Sequence, residues 1–169
     1  MAAGATYTPI ATVTASGSTG TVTFSSISGA YTDLILIMNF ANSTAAADTR
    51  VQFNGDTATN YSYTYLAGSG SSASSGRASS GTSIQFSNGP TGSTTTNETA
   101  IMQIMNYANT TTYKTTLTRV NVVDGAYAGV GANVGLWRST SAITSLTFAM
   151  STGNLTSSST FTLYGIAAA

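Results

Sequence analysis

The chain has 169 residues, enough for one domain with a core of its own. Five basic and five acidic residues cancel to zero net charge, histidine and cysteine are absent, and only 6% of residues are charged, against about 25% in an ordinary soluble domain. This composition excludes a disulfide framework, thiolate or imidazole metal ligands and a histidine general base, and Arg50, Arg77, Lys114, Arg119 and Arg138 are too scattered to form a basic stripe for nucleic acid.

Ser and Thr fill the space that charges leave, and abundant β-branched and aromatic residues separate the chain from disordered sequences. Net charge near zero favours association. The opening Met-Ala-Ala-Gly-Ala lacks the charged and apolar segments of a secretory signal, so none is expected. The longest apolar run, Leu34 to Met38, is too short to span a bilayer, and no membrane partner is expected. Matches to Asn-x-Ser/Thr at Asn42, Asn60, Asn97, Asn109 and Asn154 are chance hits in so Asn- and Thr-rich a chain.

Strand signals recur at short intervals. Tyr7 to Thr14 is rich in Thr, Ile and Val, with Pro9 near its start, which suits an edge. Thr21 to Ile27 alternates, with Val22 and Phe24 on one face. Thr32 to Phe40 is apolar on both faces: Leu34, Leu36, Met38 and Phe40 on one, Ile35 and Ile37 on the other. Such a strand is central and covered on both sides, or one of its faces meets another subunit. Ala41 to Ala47 reads as a loop. Thr49 to Asn54 is a strand ending at the turn dipeptide Asn54-Gly55. Tyr61, Tyr63 and Tyr65 then share one face of a strand.

Residues 67–82 are almost entirely Gly and Ser, with Arg77 the one charge, and composition predicts a flexible internal loop. Strands resume at Ser83 to Ser87, then at Thr99 to Tyr107, Tyr113 to Val123, Tyr127 to Trp137, Ile143 to Met150 and Thr160 to Ile166. Asp124-Gly125 predicts a tight hairpin. In the run Glu98 to Tyr107, Ile101, Met105 and Ala108 recur at helical spacing, but length and flanks favour a strand. About ten short strands with polar turns predict a single all-β domain over residues 1–169, an antiparallel β-sandwich of jelly-roll type.

Chemistry is sparse. Asp33, Asp48, Asp56, Glu98, Asp124 and Lys114 remain as titrating candidates, none adjacent to another, and their placement near turns suits solvation and capping. No Gly-x-Ser-x-Gly elbow is present, no motif supports Ser-Lys chemistry with Lys114, and the Gly-rich stretch at Gly68 and Gly70 opens no phosphate-binding helix. No catalytic residue, cofactor or metal is expected. Asn54, Asp56 and Asn60 offer oxygen ligands for calcium, but one carboxylate makes a poor site, and a turn built by Asx side chains is the favoured reading. Tyr61, Tyr63, Tyr65, Tyr107, Tyr113 and Trp137 form either a sugar-stacking or protein-contact platform, or part of the core and rim. Trp137, beside Arg138, suits core or rim packing better than a ligand site. Arg77, Trp137 and Arg138 are candidate contacts for a partner.

The segments Thr21-Val-Thr-Phe-Ser-Ser-Ile27, Tyr31-Thr-Asp-Leu-Ile-Leu36, Arg50-Val-Gln-Phe-Asn-Gly-Asp56 with Asn60-Tyr61, and Phe161-Thr-Leu-Tyr-Gly-Ile166 resemble, in order and spacing, a family of small β-rich structural proteins of tailed bacteriophages, notably marine and cyanobacterial ones. The resemblance runs over nearly the whole chain. It implies a virion component without enzymatic activity, in which the turn Asn54, Gly55, Asp56 with Tyr61 is a signature of the fold. Members serve on heads and on tails, so the resemblance leaves that choice open.

Three expectations follow. The first is a capsid decoration or cement protein that binds the major capsid protein and itself, as a closed homo-oligomer suited to a three-fold site, through contacts that persist at high salt. The alternative is a tail-tip or fibre head domain that recognises a host glycan. The third, an enzyme such as a glycan hydrolase, requires the fold to bring two carboxylates together.

Overall fold

The computed structural model describes residues 6–44, 47–86, 94–124 and 127–167. Among these residues the chain is all-β, without helix, and forms twelve strands in two antiparallel sheets. In chain order they are β1 (Tyr7–Thr14), β2 (Thr21–Phe24), β3 (Asp33–Phe40), β4 (Thr49–Phe53), β5 (Tyr61–Gly68), β6 (Ala73–Gly81), β7 (Ile84–Gln85), β8 (Glu98–Met105), β9 (Lys114–Asp124), β10 (Tyr127–Trp137), β11 (Leu146–Met150) and β12 (Thr160–Ile166). The larger sheet has the order β1-β12-β3-β8-β9-β10-β5-β6, and the smaller β2-β11-β4-β7.

The pairing is nested. β1 pairs with β12, β2 with β11, β3 with β8 and β4 with β7, as though one long hairpin had been folded over into two layers. Two further hairpins, β5–β6 and β9–β10, are interposed in sequence and extend the larger sheet beyond β8. Asp124 pairs with Tyr127. The connection at 125–126, where the Asp124-Gly125 turn is expected, lies outside the described residues.

The core lies where the small sheet covers β12, β3 and β8. Leu34, Leu36, Met38 and Phe40 of β3 are fully buried, as the alternation of that strand requires. They meet Phe161 and Leu163 of β12, Ala100, Met102 and Ile104 of β8, and Val51, Phe53, Leu146 and Phe148 of the small sheet. At the centre, Phe148 packs on Phe161 at 4.8 Å and on Phe40 at 5.2 Å between ring centroids. β8 is a strand because Glu98, Ala100, Met102 and Ile104 alternate inward, which overrides the helical spacing of Ile101, Met105 and Ala108.

Residues 67–82 are not the flexible loop that their composition predicts. They complete β5, turn through Ser69–Ser72, where Ser69 N donates to Ser72 O at 2.9 Å, and return as the nine-residue strand β6. The residues around β6 supply what its own side chains lack. Tyr65 lies opposite Gly76, and its ring covers the space that a Cβ there would take. The Arg138 guanidinium donates to Ser79 O at 3.1 Å. Pro9 sits in β1, an edge strand, next to a register shift between Pro9 and Ala11, as expected of a residue with no N–H to give the ladder.

Candidate functional site: an apolar sheet face

The turn residues nominated from sequence converge on one structural knot. Asn54 and Gly55 have φ of 53° and 66°, and Asp56 N donates to Phe53 O at 2.9 Å, which defines a tight turn with both central residues left-handed. The strands on either side of it do not pair: β4 belongs to the small sheet and β5 to the large one, so the turn carries the chain between layers. Asn54 Oδ1 accepts from Thr144 N and Ser145 N, and its amide donates to Ala142 O at 2.8 Å. Asp56 accepts from Ala58 N, from the Asn60 amide at 2.9 Å and from the Trp137 indole at 2.7 Å. The side-chain bonds from Asn60 and Trp137 hold its carboxyl below the usual carboxylate range.

Tyr61 closes the knot. Its hydroxyl accepts from Phe53 N at 3.0 Å and lies within donating distance of Phe53 O and Asp56 O. Burial pushes its pKa up to about 12. Its ring stacks on Trp137, with centroids 6.3 Å apart. The side-chain oxygens of Asn54 and Asp56 therefore accept from backbone N–H groups, the Asn60 amide and the Trp137 indole, and Asn60 takes part as a donor. No group of three or more metal-ligating acidic side chains occurs among the described residues.

Of the three residues nominated for partner contact, Arg77 alone is exposed. Trp137 is buried with its N–H committed to Asp56. Arg138 is committed to the carbonyls of Thr59, Tyr61 and Ser79. Most of the tyrosine platform is likewise taken up by packing, with Tyr113, on the loop before β9, left exposed. Tyr61 and Tyr107 are fully buried, and Tyr63 packs against the core while its hydroxyl donates to Gln85. Lys114 is also buried, its amine donating to Thr112 O at 2.8 Å and Thr140 O at 3.2 Å, and desolvation lowers its pKa.

What remains accessible includes the outer face of the large sheet, which carries a patch of exposed aliphatic side chains among polar ones. Register places Ile35, Gln103, Leu117, Val134, Thr64 and Arg77 in one row across six strands, of which Ile35 is itself buried. The next row is Ile37, Ile101, Arg119, Ala132, Leu66 and Ser75. Ile37 is 38% exposed, Leu117 43%, Met105 46%, Val134 54%, Leu66 64% and Val130 65%. The outer face of the small sheet is different: Thr23, Thr147 and Gln52 form one row, where the hydroxyls of Thr23 and Thr147 hydrogen-bond at 3.0 Å, and Thr21, Ala149, Arg50 and Gln85 form the next. One layer thus faces water with hydroxyls, and the other presents large aliphatic side chains.

The five strands that carry these side chains, β3, β8, β9, β10 and β5, lie about 4.8 Å apart and are about 26 Å long, and their outer face spans on the order of 600 Å². With the more polar flanking strands β12 and β6 the face reaches the roughly 800 Å² that each partner buries in a standard interface. Sequence reasoning reached Ile35 and Ile37 through the two-sided pattern of β3. It missed Leu66, Leu117, Val130 and Val134, although alternation in Tyr113 to Val123 and Tyr127 to Trp137 carries the signal. No family model, curated protein or solved structure matches the chain.

Proposed function

We propose that this chain is a non-enzymatic virion structural protein, a decoration or cement protein that docks on the major capsid protein through the outer face of its large sheet. The observation that carries this reading is the contrast between the two outer faces. An exposed aliphatic patch of this extent marks an interaction site, whereas the hydroxyls of the small sheet, with Arg50 among them, keep that face wet. Arg119 is the one charge within the two central rows of β3, β8, β9 and β10.

The nested pairing supports the jelly-roll reading of the fold. Without β5–β6 and β9–β10, the two sheets have the strand orders and pairs of an eight-stranded double-sheet jelly roll, an architecture common in viral capsids. That support is a fold-level analogy, and the face carries the functional argument. The glycan-binding alternative for a tail tip loses its expected platform because Tyr61, Tyr107 and Trp137 are packed inside. The hydrolase reading is weakened in the same way, since Asp56 is committed to Trp137, Asn60 and Ala58, and Asp33 accepts from Asn106 N at 2.5 Å.

The experiment is attachment to phage particles that carry the chain. Leu117→Glu with Val134→Lys, an opposite-charge pair across β9 and β10, should abolish cosedimentation with stripped particles while leaving circular dichroism and Tm little changed, and wild-type chain should stay attached in about 1 M salt, where the Debye length is about 3 Å. Retention of the double variant, or shedding of the wild type by salt alone, contradicts the proposal.

A further inference from the structure

The geometry points to β6 as an acceptor edge: we infer that it takes up, by strand addition, an extended segment of a partner polypeptide bearing an acidic side chain opposite Arg77 and a large apolar one opposite Ser75. This goes beyond docking by the sheet face and does not rest on it.

The two edges of the large sheet are protected unequally. β1 is blunted by Pro9 and by its register shift. β6 has a register shift of its own beyond Ala78, but its regular run, Ala73 to Ala78 (Ala-Ser-Ser-Gly-Arg-Ala), has no proline, no lysine and no acid. Alternate N–H and C=O groups of an edge strand point away from its neighbour, and among the described residues the side chain of Arg138 engages one of them, Ser79 O. Natural sheets seldom leave so long an edge unguarded unless something pairs with it.

Side chains set the chemistry of the added strand. Arg77 lies opposite Thr64 and Ser75 opposite Leu66, so both stand on the outer face, two residues apart. Because Ser75 and Ala73 are small, Leu66 and Val130 are the most exposed aliphatic residues of that face. A shallow groove of about 350 Å³ opens there, lined by Leu66, Ala73, Ser74, Val130 and Ala132. A strand added to β6 places one side chain beside Arg77 and the next on that face beside Ser75, from where a long apolar group reaches Leu66 on the diagonal. A second copy of β6 fits poorly. Full antiparallel overlap sets Arg77 opposite its own copy, a like-charge pair, and supplies nothing large enough to fill the groove.

The test uses the full chain and labelled peptides read by fluorescence anisotropy: Thr-Val-Thr-Glu-Thr-Leu-Thr, the same peptide with Lys in place of Glu, and one with Ser in place of Leu. The Glu/Leu peptide is expected to bind about tenfold more tightly than the Lys peptide. Arg77→Glu should invert that order, loss of Leu should weaken binding, and amide exchange should slow at residues 73–78 when the peptide is bound. Ser75→Pro should weaken all peptides, with Tm reporting whether the hairpin persists. Equal binding of the Glu and Lys peptides, no binding of either at millimolar concentration, or protection outside β6 overturns the inference. Dimerisation of the chain that Ser75→Pro abolishes also overturns it, since it assigns the edge to a second copy.

Discussion

The indole N–H of Trp137 donates to the carboxylate of Asp56 across 2.7 Å, tying the end of β10 to the turn that carries the chain from the small sheet to the large one. The bond spans 81 residues of sequence and leaves a buried ring with its one polar atom satisfied. Tyr61, stacked on Trp137 and bonded to Phe53, completes the junction. The most recognisable motif of the chain thus serves as a hinge-pin of the fold and not as a ligand site.

Asp56→Ala leaves the buried Trp137 N–H unpaired, which costs about 1–3 kcal/mol, whereas Asp56→Asn keeps an acceptor and should cost less. The folded pKa of Asp56 lies below its unfolded value of about 4. Its contribution is therefore complete above about pH 4 and is lost as pH falls through the depressed folded value. Chemical denaturation as a function of pH should show a flatter acid limb in Asp56→Asn than in the wild type.

Tyr61→Phe removes the acceptor of the buried Phe53 N–H, for a loss of about 1–3 kcal/mol. The hydroxyl titrates near 12 in the folded chain and near 10 when unfolded. Its contribution is thus present below about pH 10 and declines between about 10 and 12. Lys114 acts in the opposite sense: its depressed pKa makes stability rise with pH below its unfolded value. The difference between wild-type and Tyr61→Phe denaturation curves isolates the tyrosine, and that difference should shrink between about pH 10 and 12.

Gly135 of β10 packs against Ile84 of the small sheet and Thr116 of β9 with no room for a side chain. A Cβ there would lie 2.5 Å from Thr116 Oγ1 and 2.7 Å from Ile84 Cδ1 and Cγ2. Gly135→Ala should destabilise by about 1–3 kcal/mol through overpacking. Adding Ile84→Val should recover part of the loss, and a double-mutant cycle in denaturant should report coupling between the two positions.

Most strands were legible from alternation, because burying one face of a sheet requires it. β3 and β11 each declare their inward residues, Leu34, Leu36, Met38 and Phe40, then Leu146, Phe148 and Met150, whereas in β8 the inward set Ala100, Met102 and Ile104 competes with the helical spacing of Ile101, Met105 and Ala108. β6 was illegible for the complementary reason. Its residues carry no apolar alternation, and what holds them in the sheet comes from elsewhere, the ring of Tyr65 and the guanidinium of Arg138. The turn at Asn54-Gly55 could be read, but not that it joins two layers, since a turn dipeptide fixes local φ and not which strands pair. The three tyrosines of β5 could be placed on one face, but whether that face was core or platform depended on the position of β5 in the strand order, beside β10 and under Gln85.

Hydroxyl-radical footprinting of the chain, free and bound to particles, tests the docking face most directly. The account predicts that Met105, Leu117 and Val134 lose labelling on binding while the small sheet, at Thr23 and Thr147, does not change. Unchanged labelling of Leu117 and Val134, with protection appearing on the small sheet instead, would contradict it.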